Sequence, residues 1–129
     1  MQVMIFGEKT KINRHFIPKI KIDGEILEII EETKCLGIIV DCEINWKKHI
    51  YYTSKKIAKA IGILSKTKQF LNKKTLLQMY YSFIYPYLIY GNIIWGNATA
   101  ITLWPIFKLQ KIAIRIITNT RKRDSTQYH

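Results

Sequence analysis

The stretch WKKHIYYTSKKIAKAIGILSKTKQFL, residues 46–71, decides the second half of the fold. Its apolar and small neutral positions recur in alternating steps of four and three residues, which is the spacing of one face of a helix. These positions are Trp46, Ile50, Thr53, Ile57, Ala60, Leu64, Thr67 and Leu71. Lysines occupy many of the positions between them. The pattern predicts an amphipathic helix with an apolar seam, a cationic flank and Asn45 as its N-cap.

Two more helices follow in the pattern. Asn72 is a good N-cap residue, so we predict a second helix over residues 73–85. Pro86 disfavours helical backbone at the residue before it, so this helix should stop or kink at Tyr85. Gly91 and Gly96 indicate looser backbone beyond that point. A third helix is predicted over residues 101–118.

The first third of the chain has a different pattern of apolar and polar residues. Residues 17–22 and 25–30 alternate apolar and polar positions on either side of Asp23-Gly24, which is a strong signal for a hairpin turn. Residues 35–40 form a continuous apolar run that predicts a buried strand, and residues 3–6 predict another short strand. The sequence therefore predicts an α+β fold, in which a small antiparallel sheet with a hairpin precedes a bundle of about three helices.

Charge is distributed very unevenly along the chain. The net charge is +12, and 48% of the residues are hydrophobic, which argues against intrinsic disorder. Residues 1–43 carry 6 basic and 8 acidic side chains, whereas residues 44–123 carry 15 basic side chains and no acidic one. Such a surface suits an anionic partner: nucleic acid, a membrane surface or an acidic protein.

The sequence lacks the signals that are typical of several functional classes. No signal peptide is recognisable, and the longest apolar run, residues 83–95, is too short for a membrane span. Cys35 and Cys42 have neither a second cysteine pair nor a histidine cluster for zinc, and without a disulfide framework they favour an intracellular location, nuclear or cytoplasmic. The aspartates, Asp23, Asp41 and Asp124, are not paired as two-metal catalysis requires. We therefore expect no catalytic residue, no metal site and no cofactor in this chain, which on its own is not an enzyme.

Aromatic residues are concentrated between residues 80 and 95. They are Tyr80, Tyr81, Phe83, Tyr85, Tyr87, Tyr90 and Trp95. Helical spacing favours a role in the core, whereas stacking on bases is the functional alternative.

The order of several sequence motifs resembles the region after the active site of non-LTR (LINE-type) retrotransposon reverse transcriptases. The matching segments are KCLGIIVD (34–41), INWKKHI (44–50), KIAKAIGIL (56–64), LQMYYSFIYPYLIYG (77–91), Trp95-Gly96 and LQKIAIRII (109–117). The resemblance runs from Val3 to about Asn119, although residues 8–16 match nothing. Cys35 departs from the pattern, because family members usually have an aromatic residue at that position.

This resemblance implies a domain organisation. Residues 1–43 would be the end of the polymerase palm, with Leu36 and Gly37 at the primer grip beside the primer end. Residues 44–119 would be a helical thumb-like domain, and residues 120–129, with their run Arg121-Lys122-Arg123, a basic disordered tail. The catalytic aspartates that bind magnesium would lie upstream of Met1, together with the fingers and most of the palm.

A thumb would hold an RNA/DNA template–primer duplex through its backbone, a role that suits lysine and arginine. The candidate nucleic-acid-binding residues are Lys47, Lys48, Lys55, Lys56, Lys59, Lys66, Lys108, Lys111 and Arg115, of which the last three share one helical stripe. Three alternatives stay open at this stage: a non-functional retroelement remnant that folds poorly, a general basic nucleic-acid-binding protein, and, more weakly, a protein that lies on a membrane surface through its lysine-flanked helix. We expect no membrane partner.

Overall fold

The computed structural model describes residues 1–8 and 19–120. Six short strands precede five helices in this part of the chain. The strands are β1 (Gln2–Val3), β2 (Lys21–Ile22), β3 (Glu25–Ile26), β4 (Glu28–Ile29), β5 (Glu32–Cys35) and β6 (Ile38–Asp41). The helices are α1 (Lys47–Thr67), α2 (Lys73–Phe83), α3 (Tyr85–Ile89), α4 (Asn92–Trp95) and α5 (Ala100–Thr118). The predicted α+β class is confirmed.

The described residues form two compact units, one that ends at His49 and one that begins at Ile50. The first unit contains the strands and the first three residues of α1, and the second contains the rest of the helices. The predicted tail falls almost entirely outside the described residues, as does most of the unmatched segment 8–16.

Strand pairing in the first unit is fragmented. β2 and β3 form an antiparallel hairpin whose turn residues, Asp23 and Gly24, have positive φ angles of 52° and 84°, as the Asp-Gly signal predicts. β1 instead pairs in parallel with β4, with Gln2 opposite Glu28. The expectation of one antiparallel sheet is therefore wrong in detail, because the described strands form three separate two-stranded pairs. The strand predicted over residues 3–6 lies at Gln2–Val3.

The apolar run 35–40 is not one strand, which corrects a second expectation. The chain reverses at Leu36 and Gly37, and β5 pairs antiparallel with β6, with Cys35 opposite Ile38. Both turn residues have positive φ, 49° at Leu36 and 83° at Gly37, as in the hairpin at Asp23-Gly24. The glycine inside the apolar run was the signal for this turn.

The helix cap predicted at Asn72 is confirmed, whereas the one predicted at Asn45 lies one residue before the N-cap position of α1. The side chain of Asn72 accepts a hydrogen bond from the backbone N–H of Thr75 at 2.9 Å, at the start of α2. Asn45 accepts one from the backbone N–H of Lys47 at 3.0 Å, although Trp46 intervenes before α1 begins. α5 begins one residue earlier than predicted, after Thr99, and ends at Thr118 as expected.

The predicted break near Pro86 is present. α2 ends at Phe83, and a separate short helix, α3, carries Pro86 in its first turn, where the missing N–H of proline has no intrahelical partner to lose. Gly91, with a φ of 66°, separates α3 from α4. The segment between α2 and α5 thus contains two additional short helices that the sequence did not predict.

The core of the second unit joins α1, α2 and α5. Its buried residues are Ile57, Ile61, Leu64, Leu76, Tyr80, Ile84, Ala113 and Ile117. Ile57 and Ala113 are fully buried. The core uses one face of α1, and residues on the opposite face, such as Lys59 and Lys66, are exposed.

Candidate nucleic-acid interface

Three predicted lysines share the solvent face of α1. Lys55, Lys59 and Lys66 are all exposed, and their spacings of four and seven residues place them on one side of the helix. Ile57 and Leu64 are buried on the other side. We call Lys55, Lys59 and Lys66 the α1 cationic face. It extends over about 16 Å at the α-helical rise per residue.

Two tyrosines contact lysines on α1. The Nζ atom of Lys55 lies 4.4 Å from the ring centroid of Tyr51, and that of Lys56 lies 5.3 Å from the ring centroid of Tyr52. Such cation–π contacts at exposed sites contribute about 0.5–1 kcal/mol and hold the ammonium groups close to the helix. Sequence inspection identified the lysines but not their aromatic partners, although the spacing of four residues was visible in both pairs.

Lys47 and Lys48 belong to the first unit. Lys47 is exposed, whereas Lys48 forms an ion pair with Glu32 on β5. Both side chains of the pair are about half exposed, so the pair contributes little to stability. The charge of Lys48 is nevertheless partly compensated, which makes Lys48 a weaker candidate for a phosphate contact than the lysines of the α1 cationic face.

The predicted basic residues of α5 form a second cluster. Lys108 is exposed, and Lys111 and Arg115 are partly buried on the same side of the helix. One turn before Lys108, Trp104 is 58% exposed, and the Nζ atom of Lys111 lies 5.7 Å from its ring centroid. We call Trp104, Lys108, Lys111 and Arg115 the α5 stripe. Its tryptophan was not among the candidate residues.

The candidate primer-grip residues occupy the β5–β6 turn. Leu36 is 85% exposed at the tip of this hairpin. Gly37 follows it with a positive φ angle, a conformation that favours glycine. An apolar side chain this exposed in a turn is available for contact, but the described residues place no basic cluster at the tip.

Three acidic residues line one small pocket in the first unit. A small pocket of about 140 Å³ is lined by Glu31, Asp41, Cys42, Glu43, Asn45, Lys47 and Lys48. One oxygen of Asp41 accepts a hydrogen bond from the backbone N–H of Asn45 at 3.2 Å, which gives it a structural role. Residues 1–8 and 19–120 contain no group of three His, Cys, Asp or Glu side chains that could hold a metal ion. Both cysteines are free thiols.

The aromatic segment 80–95 divides between core and surface. Tyr80 and Trp95 are buried, and the indole N–H of Trp95 donates to the carbonyl oxygen of Tyr90 at 2.9 Å. The remaining aromatic side chains, Tyr81, Phe83, Tyr85, Tyr87 and Tyr90, are 40–55% exposed. The expected core role therefore holds for two of the seven aromatic residues.

A further groove, which the sequence did not indicate, lies beside the C-terminal ends of α1 and α5 and the N-terminal end of α2. It has a volume of about 440 Å³ and is lined by Lys68, Gln69, Leu71, Lys73, Leu76, Ile116, Ile117, Thr118 and Asn119. Lys68 and Lys73 add basic character to this end of the unit.

Comparisons with known proteins identify no relative: no family model, no curated protein and no solved structure matches this chain significantly. Among the described residues, none of the helices has the combination of length and apolar character that a membrane-spanning helix needs.

Proposed function

We propose that this chain is a fragment of a retrotransposon RNA-directed DNA polymerase that holds the template–primer duplex through contacts to the nucleic-acid backbone. The assignment to reverse transcriptases rests on the ordered sequence motifs between residues 34 and 117. In the family that these motifs resemble, catalysis belongs to other parts of the polymerase, and the role we propose for this chain is to bind the duplex.

The observation that carries the proposal is the α1 cationic face. Lys55, Lys59 and Lys66 are exposed together, opposite a buried apolar seam, within a segment that contains no acidic residue. No neighbouring carboxylate in the sequence compensates these charges locally. A row of mobile ammonium groups meets phosphates without reading bases, which is the recognition that a duplex of arbitrary sequence demands.

The α5 stripe supports the same function from a second helix. Lys108, Lys111 and Arg115 give it three further positive charges. Among residues 1–8 and 19–120, the buried Nε atom of Arg115 has no hydrogen-bond partner. Because that atom is buried, a phosphate would meet the terminal nitrogens of the guanidinium group, which offer several donors at once.

The experiment is a fluorescence anisotropy titration of the full chain with a labelled blunt RNA–DNA hybrid across a salt series. Because phosphate contacts release counterions, log affinity should fall with log salt by about 0.9 per contact, a value for B-form DNA. The triple variant K55Q/K59Q/K66Q should reduce the magnitude of this slope by up to about three.

A charge-matched control removes three lysines from elsewhere on the same unit: K68Q/K73Q/K74Q. If the α1 cationic face binds the duplex, the first triple variant should lose more affinity than the second. Equal losses would indicate a general basic nucleic-acid-binding protein without a defined interface. Failure of the wild-type chain to bind at low salt would reject the proposed function.

A further inference from the structure

Trp104 of α5 is exposed, unlike Trp95 of α4. Its side chain is 58% exposed, whereas Trp95 is 4% exposed and has its indole N–H bonded to a backbone carbonyl. Tryptophan is highly buried on average because its large apolar surface is costly to expose. Trp95 therefore has a structural role, and Trp104 contributes little to the core of the second unit.

The surroundings of Trp104 are cationic. Lys108 follows at one turn and Lys111 at two turns, with its ammonium group 5.7 Å from the ring centroid. Arg115 follows one turn later on the same side of α5. From Trp104 to Arg115 the stripe measures about 16 Å along the helix. An aromatic face at one end and three cations along the remainder form one continuous surface.

This combination selects one class of ligand. Proteins that bind single-stranded nucleic acid combine cations along the backbone with aromatic side chains on which bases stack. A duplex offers phosphates but keeps its base faces stacked within the helix, so it cannot use Trp104 in this way. A strand with unpaired bases can use both parts of the α5 stripe.

A membrane surface would require a different arrangement. Helices that lie in the bilayer interface carry their basic residues on the polar face and their tryptophans on the opposite, apolar face. Trp104 and the three cations instead share one face of α5. Insertion of the indole ring into acyl chains would carry these charges towards the bilayer interior.

We propose that the α5 stripe is a binding site for single-stranded nucleic acid, in which Trp104 stacks on an unpaired base and Lys108, Lys111 and Arg115 contact the adjoining phosphates. The inference deepens the proposed function and rests on it: the ligand is the unpaired template extension that adjoins a template–primer duplex. Trp104 binds only bases that are unpaired, whereas the α1 cationic face binds a duplex of any sequence.

The test compares two labelled ligands, a blunt RNA–DNA hybrid and the same hybrid with a single-stranded RNA extension. With W104A, affinity for the extended hybrid should fall about 5-fold or more, the loss expected when one stacked base is removed. Affinity for the blunt hybrid should be little changed. W104F retains an aromatic face and should recover most of the lost affinity.

Ile101 provides the matched control, because it is 88% exposed one turn before Trp104 and is apolar without an aromatic face. I101A should leave both affinities unchanged if stacking, rather than general apolar contact, binds the extension. Thermal melts of all variants should coincide with that of the wild type, since both side chains are exposed. A second readout is tryptophan emission, which the extended hybrid should quench more strongly in the wild type than in W104F.

Equal affinity of W104A and wild type for the extended hybrid would overturn the inference, even if blunt-hybrid binding and its salt dependence support the proposed function. An equal loss from I101A and W104A would also overturn it. Conversely, absence of blunt-hybrid binding by the wild type would count against the proposed function alone. Vesicles containing anionic lipid provide the last arm: tighter binding to them than to the extended hybrid would overturn the site's assignment to nucleic acid.

Discussion

The backbone N–H of Ile39 donates a hydrogen bond to the Nδ1 atom of His49 at 3.3 Å. His49 lies in the first turn of α1 and is 4% exposed, and Ile39 is the second residue of β6. An imidazole that accepts at Nδ1 must be neutral, with its proton on Nε2. This bond therefore attaches the start of α1 to the β5–β6 hairpin only while His49 is unprotonated.

Stability should depend on pH through His49. Burial lowers the pKa of His49 from its ordinary value of 6.5, because desolvation penalises the charged ring. Between pH 6.5 and this lowered pKa the unfolded chain binds more protons than the folded one, so the free energy of unfolding should fall as the pH falls through that window. Denaturant unfolding at pH 7.5 and pH 5 measures this difference.

H49N is the control for the pH experiment. The asparagine oxygen can accept the bond from Ile39 but does not titrate, so the variant should lose part of the pH dependence that the wild type has. Identical pH profiles for the two proteins would contradict a role for His49 in linking stability to pH.

Asn72 should contribute measurably to the stability of the second unit. Its Oδ1 atom accepts hydrogen bonds from both the backbone N–H and the hydroxyl of Thr75, each at 2.9 Å. N72A removes this cap and should lower the free energy of unfolding by about 1 kcal/mol. N72D keeps an acceptor and places a negative charge at the helix N-terminus, so it should be at least as stable as the wild type. Chemical denaturation followed by circular dichroism ranks the three proteins.

Gly62 offers a stabilising substitution. It lies inside α1, and apart from the adjoining turns of that helix a Cβ atom added there would contact nothing within 4 Å. Because glycine in a helix interior is less favourable than alanine by about 0.5–1 kcal/mol, G62A should raise the free energy of unfolding by that amount. A melting temperature below that of the wild type would contradict this prediction.

Gly96 should behave in the opposite way. Gly96 directly follows α4, and a Cβ atom added there would collide with the backbone carbonyl oxygen of Asn92, the first residue of that helix. We expect G96A to shift backbone around α4 and to lower the melting temperature. In the same thermal scan, G62A should raise the melting temperature and G96A should lower it. Shifts of the same sign would contradict one of the two predictions.

Ile57 tests whether the helical core folds cooperatively. The side chain is fully buried in the cluster that joins α1, α2 and α5. I57A should lower the free energy of unfolding by about 2–5 kcal/mol, because it removes buried apolar surface and leaves a cavity. I63A truncates a side chain on the same helix that is 54% exposed. It should change the free energy of unfolding by no more than about 0.5 kcal/mol.

Thermal melts of the wild type, I57A and I63A measure these losses and also bear on the hypothesis of a poorly folding remnant. A cooperative transition in the wild type that I57A abolishes or strongly lowers would reject that hypothesis. A featureless melt, indifferent to both isoleucine substitutions, would support it.

Local sequence signals predicted the long elements well. Periodicity and a cap residue located α1, α2 and α5, because helix ends depend on residues within one turn of each other. The Asp23-Gly24 hairpin followed from turn chemistry in the same way. The short helices α3 and α4 were not predicted, since they have too few residues for a periodic pattern to emerge.

The candidate interface was only partly predictable. The acid-free segment and its lysine spacing identified the α1 cationic face, but not that Lys48 is paired with Glu32, a residue 16 positions away. Sequence inspection also assigned most aromatic residues of the segment 80–95 to the core. Burial depends on which faces neighbouring helices cover, and the sequence does not state this directly.

What the sequence by itself determined is the class of the fold, the location of its long helices to within about two residues for α2 and α5, and the position of its charge, since each depends on neighbours along the chain. Tertiary structure alone decided which of those residues are available to a partner. Trp104 and Trp95 illustrate the difference: nine residues apart in one apolar region, one is exposed beside lysines and the other is buried. The physical reason is that exposure results from packing between distant segments, whereas secondary structure is set mainly by local backbone preference and hydrophobic period.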